Sequence, residues 1–71
     1  MTHSETIFNK VFNKLNLNIS IIESYDSHSD TVDYILRIDK NDNNILLREF
    51  EESNDIENYL YNKYKIDINN C

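Results

Sequence analysis

A chain of 71 residues carrying thirteen acids against seven bases, formal net charge −6, has room for one small domain (1–71) and repels phosphate, which argues against nucleic acid as a direct ligand. No apolar run approaches the roughly 20 residues of a membrane helix, the first residues include Glu5 and lack the apolar stretch of a signal peptide, and the single cysteine, Cys71, fits a reducing compartment. The expectation is a cytoplasmic protein with no membrane partner, whose turns, in the absence of glycine and proline, fall to Asn, Asp and Ser.

Thr2-His3-Ser4-Glu5 has the form of a capping box, with Thr2 as N-cap and Glu5 three residues on. Ile7, Phe8, Val11, Phe12 and Leu15 follow at helical spacing, with Asn9, Lys10, Asn13 and Lys14 on the other side. This pattern predicts an amphipathic helix from Ser4 to Leu15. Leu17, Ile19 and Ile21 alternate with Asn18 and Ser20, which predicts a strand from Leu17 to Ser24. Asp26-Ser27-His28-Ser29-Asp30 is a polar turn. Val32, Tyr34, Leu36 and Ile38 alternate with Asp33, Ile35 and Arg37 as a second strand, Asp39 to Asn44 is a turn of Asp, Asn and Lys, and Ile45 to Phe50 is a third strand. Asn54-Asp55-Ile56-Glu57 is a second capping signature, with Ser53 an alternative cap, and Ile56, Tyr59, Leu60 and Tyr64 line one face of a helix from Asn54 to Lys65. Ile66 to Cys71 reads as a frayed end, with Ile66 and Ile68 able to pack on a sheet edge.

The fold class implied is α+β: a three-stranded antiparallel sheet with a helix before and a helix after it (α-β-β-β-α), in two layers. Phe8, Phe12, Ile21, Leu36, Leu47 and Leu60 are its expected core.

Charge is segregated along this chain. Glu23 to Glu57 holds eleven acids against Arg37, Lys40 and Arg48, a formal balance of −8. Asp26-Ser27-His28-Ser29-Asp30 contains the residue types of a hydrolase triad, but neighbours in sequence rarely converge on one reacting atom, and no glycine-lined oxyanion loop accompanies them. Asp39, Asn41 and Asn43 fall at the first positions of a calcium loop, yet Phe50 stands where the bidentate acid belongs. His3 and His28 are too few for a zinc site. The expectation is therefore no catalytic residue, no cofactor and no metal, and a protein that is not an enzyme. The acidic stretch remains, as a row of carboxylates suited to an arginine- and lysine-lined groove. Its candidate contacts are Asp39, Asp42, Asn43, Glu49, Glu51 and Glu52.

Asp26-Ser27-His28-Ser29, Ile35-Leu36-Arg37-Ile38, the Asp/Asn turn, Glu49, Glu51 and Ile56-Glu57 with Tyr59-Leu60 carry a resemblance. From Asp26 onward the chain resembles small acidic anti-CRISPR proteins encoded by phages, which block the RNA-guided type II nuclease by occupying its DNA-binding site. The AT-rich codons of its abundant Asn, Ile, Lys, Tyr and Phe suit such a source. The resemblance implies a DNA mimic that binds the basic groove of a CRISPR effector in the cytoplasm of the infected bacterium. The family carries Asp-Gly-Asn-Glu in the turn between its second and third strands, where this chain has Asn41, Asp42, Asn43 and Asn44. The family's acidic third helix has no counterpart here, and Asn16 and Leu17 stand where its first strand opens on an acid. These departures leave the identity of the effector open. The alternative is a small acidic interaction or regulatory module without nucleic-acid mimicry.

Overall fold

The computed structural model describes residues 2–70. Four strands, β1 (Thr2–Phe12), β2 (Leu17–Asp26), β3 (Thr31–Lys40) and β4 (Asn43–Phe50), pair antiparallel in the order in which they occur, and one helix, α1 (Ser53–Tyr64), follows them. A short 3₁₀ turn, Ile68–Asn70, ends the described chain.

The expected α-β-β-β-α arrangement is therefore corrected to β-β-β-β-α. Residues Ser4 to Leu15, expected as a helix, form most of an edge strand and the turn after it. Phe8 and Phe12 lie four residues apart, and four satisfies the helical repeat and the even repeat of a strand alike. In β1 they stand opposite Ile21 and Leu17 and pack against the core. Val11 points to the other face and is exposed. Ile7 is the extra residue of a β-bulge between Thr6 and Phe8. The β-branched and aromatic residues of this segment, Thr2, Thr6, Ile7, Phe8, Val11 and Phe12, favour a strand.

No glycine is available at the turns, and Asn and Asp take the left-handed positions. Asn16 (φ 56°) closes the β1–β2 turn and Asp30 (φ 52°) the β2–β3 turn, while Asn41 (φ 51°) and Asp42 (φ 66°) form the two-residue β3–β4 turn. Consecutive positive φ values mark a type I′ turn, whose twist matches that of the flanking strands. A second bulge places Ile45 as the extra residue of β4, between Asn44 and Leu46.

Alternation divides the sheet into two faces. One carries Leu17, Ile19, Ile21, Leu36, Ile38 and Phe50, which are buried beneath Ile56 and Leu60 of α1 and Ile66 beyond it. Leu46 packs at its margin. Leu47, expected in the core, is 65% exposed, because the bulge at Ile45 gives the inward phase to Leu46, Arg48 and Phe50.

The helix occupies the expected segment. Its N-cap is Glu52, in extended conformation and without a side-chain cap bond, so neither Ser53 nor Asn54 caps it. Asp55 in the first turn and Lys63 in the last suit the macrodipole. The helix stops at Lys65 (φ 58°), whose N–H donates to the Tyr61 carbonyl at 2.9 Å. Beyond it, Ile66 is buried and Ile68 packs against the core. The segment expected to fray is thus docked as far as Ile68, while Cys71 lies outside the described residues.

Candidate functional site

The turn end of the β3–β4 hairpin carries three of the six candidate contacts. Asp42 is exposed at its tip. Asn43 opens β4, and its Nδ2 donates to the Asn41 carbonyl at 3.3 Å. Asp39 sits one pair further in. Its Oδ2 lies 3.3 Å from Arg37 Nε, and its Oδ1 accepts from Asn44 Nδ2 at 3.1 Å. The same Asn44 amide donates to the Leu46 carbonyl at 3.0 Å and the Ile38 carbonyl at 3.3 Å, which pins the bulge. The Asn41 N–H donates to the Asn16 carbonyl at 3.3 Å, tying this turn to the β1–β2 turn.

Between the two turns lies a shallow cavity of about 240 Å³, bordered by Asn16, Asn18, Asp39 and Asp42. Asn18 Oδ1 is buried without a hydrogen-bond partner. Asp39 and Asp42 add carboxylates at the same border. Such a site can accept hydrogen bonds from a cationic side chain.

The other three candidates lie elsewhere. Glu49 stands on the open face of β4, opposite Ile35. Glu51 and Glu52 are exposed in the connection to α1. From Asn43 to Phe50 a strand runs roughly 23 Å, so the six residues form a line along the β4 side and do not meet at one point. Asp33 was missed. It shares the open face with Asp39 and Glu49, and the alternation Asp33-Ile35-Arg37-Asp39 was the signal for it.

The Asp26–Asp30 segment is held by local hydrogen bonds. Asp26 Oδ1 accepts from the His28 N–H at 3.0 Å, and the Ser29 and Thr31 hydroxyls are 2.7 Å apart. Tyr25 OH donates to Asp30 Oδ1 at 2.9 Å, and this hydrogen bond, with partial desolvation and the nearby Asp26 charge, raises the Tyr25 pKa above its usual value.

No family model matches the chain, and no match was found among curated proteins or solved structures. Among the described residues, no cluster of three or more His, Cys, Asp or Glu side chains is placed to hold a metal, and no helix is long and apolar enough to cross a membrane. Lys10, Lys40 and Arg48 share the helix-covered face by register, with Lys10 5.5 Å from the Phe12 ring centroid and Arg48 4.8 Å from that of Phe50.

Proposed function

We propose that this chain is a non-enzymatic anti-CRISPR inhibitor. It binds the basic nucleic-acid groove of a CRISPR effector nuclease, in the cytoplasm of a phage-infected bacterium, and blocks target DNA by presenting carboxylates in place of phosphates. The observation that carries the reading is charge left unneutralised. Of the eleven acids between Glu23 and Glu57, Asp39 alone is ion-paired among the described residues. A row of unpaired carboxylates is costly to bring together unless a cationic surface receives it. Two further features support it. The resemblance covers the segment that forms β3, β4 and α1, and lies outside the corrected N-terminal strand. The cavity bordered by Asn18, Asp39 and Asp42 offers acceptors to an inserted arginine or lysine.

The test is a DNA-cleavage assay with a panel of guide-loaded effectors, using the wild type and an Asp39→Asn, Asp42→Asn double variant. The wild type should inhibit at least one effector, and inhibition should weaken with salt, since exposed charges are screened within about 8 Å at physiological ionic strength. The double variant should associate more slowly while its dissociation changes less. Its fold should hold, because Asn tolerates the left-handed conformation of position 42, and the Arg37–Asp39 pair, half open to solvent on its Arg37 side, contributes about 1 kcal/mol. Inhibition of no effector, or undiminished inhibition by the double variant, rejects mimicry by this hairpin.

A second reading, an interaction module without nucleic-acid mimicry, is favoured by one observation: Val11, Ile45 and Leu47 are exposed apolar side chains on β1 and β4.

A further inference from the structure

The face of the sheet away from α1 is not bare polar surface. Ile22 and Ile35 stand opposite one another on the two central strands. Leu47 on β4, 65% exposed, stands diagonal to Ile35, and Val11 on β1, 54% exposed, adds an apolar side chain at the other edge, opposite Asn18. None of the four belongs to the cluster that α1 buries, or packs against it. The row between Val11 and the Ile22–Ile35 pair is Asn9, Ser20 and Arg37, with Asn9 Nδ2 donating to Ser20 Oγ at 2.6 Å across β1 and β2.

The charge around this strip has one sign. Asp33, Asp39 and Glu49 share the face with a single base, Arg37, and that base is paired to Asp39. Lys10, Lys40 and Arg48 all lie on the opposite face. We propose that the open face is a docking surface for a basic amphipathic protein segment, one with an aliphatic strip bordered by lysine and arginine. Charge decides against a second copy: stacking two such faces would bring two surfaces of net negative charge together, and like charges across an interface oppose association. Area allows a real interface. Four strands about 4.8 Å apart and about 33 Å long present about 600 Å², close to the about 800 Å² per partner of a standard complex. The inference shares with the functional reading only a basic protein partner, and it places the contact on the sheet face instead of the hairpin tip.

The experiment uses the full chain and two synthetic helical peptides of equal charge. One has a leucine strip flanked by lysine and arginine, and the other has serine in place of each leucine. Binding is followed by fluorescence anisotropy at physiological salt. The leucine peptide should bind at least about tenfold more tightly than the serine peptide. Leu47→Lys and Val11→Lys should each abolish about that advantage, whereas Tyr61→Lys, which adds the same charge at an exposed site on the helix, should leave it intact. Val11 and Leu47 are more than half exposed, so these variants should fold, as circular dichroism would report. Equal binding of the two peptides overturns the proposal, as does equal loss with Tyr61→Lys. Self-association of the wild type in sedimentation that Leu47→Lys abolishes also overturns it, because the occupant is then a second copy. The two readings fail separately. Leucine-dependent binding by a protein that inhibits no effector leaves this surface standing and removes the nuclease target. Inhibition that depends on Asp42 but not on Leu47, together with equal peptide binding, does the reverse.

Discussion

Ile19 faces Ile38 across β2 and β3, and three rows along Ile22 faces Ile35 across the same two strands. The pairs are alike in composition and in pairing partners' strands, and they differ in the side of the sheet they occupy. Ile19 and Ile38 are fully buried, while Ile22 and Ile35 retain partial exposure. What separates them is the layer above: Ile56, Leu60 and Ile66 cover the first pair. A sheet alone makes two equivalent faces, and here one helix with its docked continuation turns one of them into a core.

The strongest way to break this comparison is truncation on each side. Ile38→Ala should lower stability by about 2–5 kcal/mol, and Ile35→Ala by about 1 kcal/mol or less, because only the first empties a closed site. Chemical denaturation of the two variants measures the difference, and equal losses would show that the open face is covered in solution.

The next effect sharpens the covered face. Lys65 holds a left-handed conformation that costs a side-chain-bearing residue about 1–2 kcal/mol, and glycine avoids that cost. Lys65→Gly should raise stability by about 1 kcal/mol, a gain of about 4–8 °C in Tm for a domain of this size. A fall in Tm would mean that the contact of Lys65 with the Tyr61 ring, at 5.7 Å, matters more than the backbone.

Leu47→Lys touches only the open face and should change stability by less than about 0.5 kcal/mol, so a large loss would place Leu47 in a core. The smallest effect lies beyond the core cluster, at Tyr25. Its pKa is raised in the folded protein, so the stability it contributes is present below its unfolded value and is lost as pH rises through the folded one. Ultraviolet titration above pH 10 should show one tyrosine ionising late, and Asp30→Asn should restore it toward the usual range.

The same parity explains what could be read from the sequence. β2, β3 and α1 stand within two residues of where alternation and helical spacing put them, because each pattern there has one interpretation, and the expected Asp39–Asn44 turn narrows to Asn41 and Asp42, the residues around them pairing as strand. The N-terminal segment had two, since Phe8 and Phe12 satisfy both repeats, and only tertiary pairing with β2 chooses the strand. Leu47 was misassigned for a different reason: a bulge at Ile45 shifts the phase of everything after it in β4, and no local residue preference marks it. In the candidate site, Asp39, Asp42 and Asn43 came together because they are close neighbours at the end of one hairpin. Asp33 and Glu49 are united only by strand register.

The order of the elements bears on how the protein is born. Each strand pairs with the one before it, across turns of four, four and two residues, so the sheet is built from local contacts that form early and fast. A hairpin closes in about 1–10 microseconds, so the four strands can pair before α1 settles on them. Until the helix docks, the sheet has no lid, and Ile19, Leu36 and Ile38 are as wet as Ile22 and Ile35. The bulges in both border strands then have a protective task, since they kink the two edges on which a second unfinished chain would stack.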